Sequence, residues 1–158
     1  MAIITHTVSI NAAFLQEIKE DHHELRQLMH HTEATLSRPD WMKVEYDRLV
    51  EMLGKLRDQL AMHFSLEEAF GCFEDALSVA PHLARRSEQL RAQHFALFSE
   101  LCRLEDQAEQ LLYHEAPATA VQKLAHDYRD FSARFRVHEA AESELVLEAV
   151  NADIGGED

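Results

Sequence analysis

"FRVHEAAESELVLEAV", residues 135–150, decides how this chain is read. Stepped alternately by three and four, it gives Phe135, His138, Glu142, Leu145 and Ala149. Residues at that spacing share one face of a helix, and the face a helix buries is ordinarily apolar. Here an imidazole and a carboxylate sit one turn apart in the middle of it.

The same oddity recurs along the chain. Pro39, Pro81 and Pro117 divide the 158 residues into four segments rich in Leu, Ala, Glu, Gln and Arg, which favour helix. The pattern predicts helices at about 9–37, 40–77, 81–114 and 118–150. Asp40 and Thr119 are expected as caps, Pro81 suits a first helical position, and a polar tail, 151–158, is expected to end the last helix. Gly54 and Gly71 are costs inside the second helix.

The first stripe runs Leu15, Ile18, His22, Leu25, Met29, Thr32, Leu36. The second runs Leu49, Leu53, Leu56, Leu60, His63, Glu67, Phe70. The third runs Leu83, Ser87, Leu90, His94, Leu97, Leu101, Leu104, Ala108, Leu111. The fourth runs Val121, Leu124, Tyr128, Phe131, Phe135, His138, Glu142, Leu145, Ala149. Four amphipathic helices of similar length, joined by short loops, imply an all-α fold: a single domain, 1–158, built as an up-down-up-down four-helix bundle.

Composition bounds what such a bundle can do. Hydrophobic residues make up 46% and charged residues 28%, ordinary for a globular protein. A net charge of −14 argues against nucleic acid or an anionic membrane as partner, since both attract basic surfaces. No apolar run approaches the ~18 residues of a membrane span, and the N-terminal stretch lacks the marks of a secretory signal. Cys72 and Cys102 show no C-x-x-C spacing. Together these features predict a cytoplasmic protein with reduced thiols.

Each stripe carries a histidine, and two carry a glutamate four residues later. One buried imidazole can be neutralised by a hydrogen bond. Four, with two carboxylates, are expensive to bury unless something compensates. A bound cation would compensate for all six. Counting at ~1.5 Å per residue from turns near 79 and 116 sets His63 level with His94, and His94 level with His138. A turn near 39 leaves His22 and His63 about seven residues, roughly 10 Å, out of step. The candidate metal ligands are therefore His22, His63, Glu67, His94, His138 and Glu142. Six donors exceed one tetrahedral zinc site and suit two ions of borderline softness: iron, with manganese or zinc as substitutes.

"DHHEL" (21–25), "HFSLEE" (63–68), "AQHFALF" (92–98) and "HEAAE" (138–142) together resemble the hemerythrin-like, or HHE cation-binding, family over nearly the whole chain. The resemblance implies two non-haem irons. His22 and His63 would hold one, and His94 and His138 the other. Glu67 and Glu142 would bridge, with an oxo, hydroxo or water ligand between. Oxygen-carrying members use His-x3-His on the third helix, where this chain has Phe98, and His-x4-Asp on the last, where it has His-x3-Glu. The first change leaves one iron a nitrogen short, a place for Glu139, Glu68 or solvent. An open position favours reaction with O2, peroxide or NO, or metal sensing, over reversible oxygen carriage.

Two other readings stand beside this one. In one, the chain is a metal-free helical interaction module whose histidines only specify packing. In the other, it is a di-iron enzyme consuming peroxide or NO. "HEAAE" lacks the second His of a metalloprotease H-E-x-x-H, and the Glu-x-x-His of ferritin-like oxidases occurs once, at 20–23, where two are needed. His23, His30, His31, His82, His114 and His126 are expected in solvent. Phe64, Phe95, Phe98, Phe131 and Phe135 are expected in the core, and Tyr128 is expected to pack with its hydroxyl bonded.

Overall fold

The structure, a computed structural model, describes residues 22–38, 46–69, 81–114 and 117–155. Among them every regular element is a helix and no strand occurs. Helix α1 covers 22–36. Helix α2 is Tyr46–Ala69. A 3-10 turn, Pro81–Leu83, leads into α3, Ala84–Tyr113. Helix α4 is Ala118–Gly155. The expected Asp40 cap, Gly71, Cys72 and the parts 9–21, 40–45 and 70–77 of the expected helices lie outside the described residues.

Local chemistry accounts for the ends. Proline's fixed φ suits the opening of a helical turn, and Pro81 stands there. At α4 the expected cap is displaced. Thr119 lies within the first turn, and the Ala120 N–H instead donates to the Pro117 carbonyl at 2.9 Å. The tail was expected to end α4 at about 150, yet the helix continues to Gly155. Asn151 to Ile154 contain neither Gly nor Pro, so the helix runs on until the Gly155-Gly156 pair.

Packing follows the four stripes. All the apolar stripe residues among the described ones are buried, from Leu25 in α1 to Ala149 in α4. One cluster fills most of the interior, with Leu53, Leu101, Tyr128, Phe131 and Phe135 at its centre. A second, of Leu83, Leu90, Leu145 and Ala149, closes the end beyond the histidines. Between α3 and α4, side-chain partners step in opposite directions along the two chains: Gln107 with Asp127, Glu100 with Arg134, Gln93 with His138 and Arg86 with Glu148. Tyr128 ties α4 to α1 by donating its buried hydroxyl to the Met29 carbonyl at 2.8 Å.

Two residues depart from expectation. Phe95 is 78% exposed, because it follows His94 and so points about 100° away from the stripe. Glu105 is buried although it lies off the stripe. Its carboxylate takes two hydrogen bonds from Arg57 Nη1, at 2.8 and 2.6 Å, across the α2–α3 interface. Gly54 makes room for it, since a Cβ there would meet Glu105 Oε1 at 3.3 Å. The glycine that is a cost to α2 is therefore what admits the ion pair. No helix among the described residues is long and apolar enough to cross a membrane.

Phe131, fully buried at the centre of the main cluster, sets the expected energetic scale. Phe131→Ala should destabilise the fold by about 3–5 kcal/mol, read from urea denaturation. A loss below about 1 kcal/mol would mean the bundle is not packed as described.

Candidate metal centre

Each helix brings a histidine to one level of the core because each histidine occupies a stripe position flanked by packed leucines or aromatics. His63, Glu67, His94, His138 and Glu142 are buried. His22, at the described start of α1, keeps 25% of its side chain exposed.

The donors fall into two groups. Glu67, His94, His138 and Glu142 offer nitrogen or oxygen atoms that all lie within 4.8 Å of one another. His22, His63 and Glu139 form a second group by the same measure. The His22 and His63 rings lie 5.6 Å apart, and those of His94 and His138 4.9 Å apart. Glu67 links the groups. Its Oε1 is 2.8 Å from His63 Nε2, and its Oε2 is 3.3 Å from His94 Nε2. Glu142 Oε1 faces both His94 Nε2, at 3.0 Å, and His138 Nε2, at 2.8 Å. In the other group, Glu139 Oε1 lies 2.9 Å from His22 Nδ1.

All six expected residues are thus brought to one region. The level difference counted between His22 and His63 does not exist. Glu139, weighed from sequence only as one way to fill a gap beside Phe98, instead accompanies His22 and His63. It follows His138 directly, so no stripe contains it. Its signal is the "HE" pair, which places an acid one step around the helix toward α1. Phe98 is half-buried against the apolar core and supplies no donor.

Aromatic rings wall the site. Phe64 stacks on His94 with ring centres 4.0 Å apart and also meets His138 edge-on. Phe135 lies against His63 and His138. In such surroundings unpaired polar atoms are costly. Even so, Glu67 Oε2, His138 Nε2 and Glu139 Oε1 are buried and make no hydrogen bond. Each has a polar neighbour within 3.3 Å, but none is aligned for a shared proton. Donor atoms that crowd together without bonding one another match the arrangement of ligands around an ion. Imidazole with carboxylate fits iron, manganese or zinc.

The electrostatics of these groups follow from the same contacts. Both nitrogens of His94 face carboxylates, Nδ1 lying 3.1 Å from Glu68 Oε1. Carboxylates only accept, so both nitrogens carry protons. Burial pulls the His94 pKa down, but the neighbouring carboxylates of Glu142, Glu67 and Glu68 outweigh it and raise it to about 9. Burial pushes the Glu67 carboxyl up, while the His63 and His94 imidazoles beside it bring it down to about 2.

No protein-family model, curated protein or solved structure matches the chain.

These shifts fix a pH dependence. The His94 contribution to stability is complete below its ordinary value of 6.5 and is lost as pH rises through about 9. The Glu67 contribution is complete above its ordinary 4.5 and is lost as pH falls through about 2. With chelator present, the melting temperature should therefore be highest between those two ordinary values and fall on either side. An ion on His94 Nε2 must displace a proton, so zinc uptake near neutral pH should release acid, measurable in a weakly buffered titration. A flat melting profile from pH 5 to 9 with no proton release would refute this account.

Proposed function

We propose that the chain is a hemerythrin-like up-down-up-down bundle that holds two non-haem irons and binds or reacts with O2 or a related small oxidant. The observation that carries this reading is the convergence of seven nitrogen and oxygen donors from all four helices, three of their atoms buried without a hydrogen bond. His94, His138 and Glu142 would hold one ion. His22, His63 and Glu139 would hold the other. Glu67, with one oxygen toward each group, would contribute to both.

Bound iron would supply a redox-active Lewis acid able to engage O2, peroxide or NO. The chain's own residues do the rest. Phe64 and Phe135 keep bulk water from the donors, which strengthens their electrostatic hold. His22 is the partly exposed member, so solvent and small molecules meet the site from its side. The site lies within one bundle, which needs neither nucleic acid nor membrane for its chemistry.

The rival reading, a metal-free interaction module, draws on the His94 contacts, because an imidazolium among three glutamates partly neutralises the buried acids. The three unpaired atoms weigh against it. A peroxide- or NO-consuming enzyme would use the same centre and differs only in turnover.

Purified protein loaded with ferrous iron and exposed to air should retain about two irons per chain and absorb in the visible. His94→Ala and Glu142→Ala should each lower the iron content, and by at least the ~10-fold loss of affinity seen when residues outside a ligand shell are changed. Full occupancy in both variants, or colourless wild-type protein that takes up no iron, would overturn the proposal.

A further inference from the structure

His94 and His138 lie side by side in the same donor group, yet their outward-facing nitrogens have different partners. His94 Nδ1 is 3.1 Å from a carboxylate oxygen of Glu68. His138 Nδ1 is 2.8 Å from the side-chain oxygen of Gln93. In both rings Nε2 points inward, at the carboxylates of Glu67 and Glu142 for His94 and at Glu142 for His138. A ring nitrogen that donates to an oxygen on one side presents the opposite nitrogen as the electron-pair donor. A carboxylate partner draws the proton more strongly than a carboxamide does, leaving the ring a stronger donor.

We infer that Glu68 and Gln93 are positioning residues that aim the inward nitrogens of His94 and His138 at the ion and make the two imidazoles unequal donors. The inference rests on the proposed metal centre. Both residues act from outside the donor group. Glu68 keeps 47% of its side chain in solvent. Gln93 is exposed and lines, with His138, a cleft of about 380 Å³ between α3 and α4. Neither fills the core, so exchanging carboxylate and carboxamide at either position preserves shape and leaves the packing intact.

The consequence is electronic as well as geometric. The carboxylate-backed His94 favours the more highly charged ion, while His138 is neutral in this respect. Glu68→Gln removes the difference by making both partners carboxamides. Gln93→Glu removes it the other way.

The test uses the full-length protein loaded with zinc, which is diamagnetic and accepts the same donors. In wild type, proton NMR of nitrogen-15-labelled protein should place the His94 Nδ1–H clearly downfield of the His138 Nδ1–H. In Glu68→Gln the His94 signal should move upfield toward that of His138. In Gln93→Glu the His138 signal should move downfield. Glu68→Gln should weaken zinc binding about 10- to 100-fold. With iron, Glu68→Gln should raise the midpoint potential and Gln93→Glu should lower it. Two failures are distinguishable. Wild-type protein that binds no zinc overturns the proposed centre and this inference with it. Wild type that loads zinc, with both ring signals and the affinity unmoved in the variants, overturns this inference alone. Glu68→Ala losing affinity that Glu68→Gln does not recover would support the carboxylate's electronic role over mere hydrogen bonding.

Discussion

Burying imidazole and carboxylate groups at one level of an apolar bundle is the constraint on which this structure turns. A helix gives up its hydrophobic stripe at those positions, and each group loses its water. Four helices make the same concession at the same height, and the losses are acceptable only because the groups meet. Here they meet one another. Glu67 and Glu142 lie against His63, His94 and His138, and burial is offset by contacts that hold Glu67 ionised and His94 protonated. The compensation is incomplete, and the atoms it leaves unpaired face inward. The fold is stabilised elsewhere, by the leucines and aromatics between Leu49 and Phe135, which fix the helices firmly enough for the donors to be held where they are.

Periodicity carried most of this. The stripes written from the sequence are the buried faces of the described helices, because a strict step of three and four leaves little freedom in which side turns inward. The same step picked out His63, Glu67, His94, His138 and Glu142, since a polar residue inside an apolar repeat is conspicuous. Glu139 was not legible in that way. It neighbours a stripe residue in sequence, and only the position of α1, which brings up His22 and Arg26, makes its direction an inward one.

Glu105 shows the same limit from another side. Its neighbour Leu104 is on the stripe, and nothing local marks Glu105 as buried. Its partner Arg57 and the clearance at Gly54 belong to a different helix. A single-helix pattern registers Gly54 as a loss of helix propensity, and only the pair of helices reveals the space it leaves. The height of His22 was not legible for a different reason: a count from a turn fixes a level only when both helix ends are known, and helix ends are the least sharply defined feature of a sequence pattern. Phe95 is hydrophobic yet exposed, because its phase on α3 turns it away from the stripe.

The two donor groups are unequal in charge, and that inequality follows from the same geometry. Glu67 and Glu142 give the buried group two carboxylates, which would match a divalent ion there once His94 had given up its extra proton. The other group has Glu139 as its own carboxylate, with the Arg26 guanidinium 3.7 Å from the second oxygen of that acid. Arg26 is largely exposed, so solvent weakens its effect without removing it. A dication among His22, His63 and Glu139 would therefore depend on the share of negative charge that Glu67 extends through Oε1 toward His63. With one oxygen toward each group, Glu67 couples them: two ions held there would share its charge, and neither position would respond independently of the other.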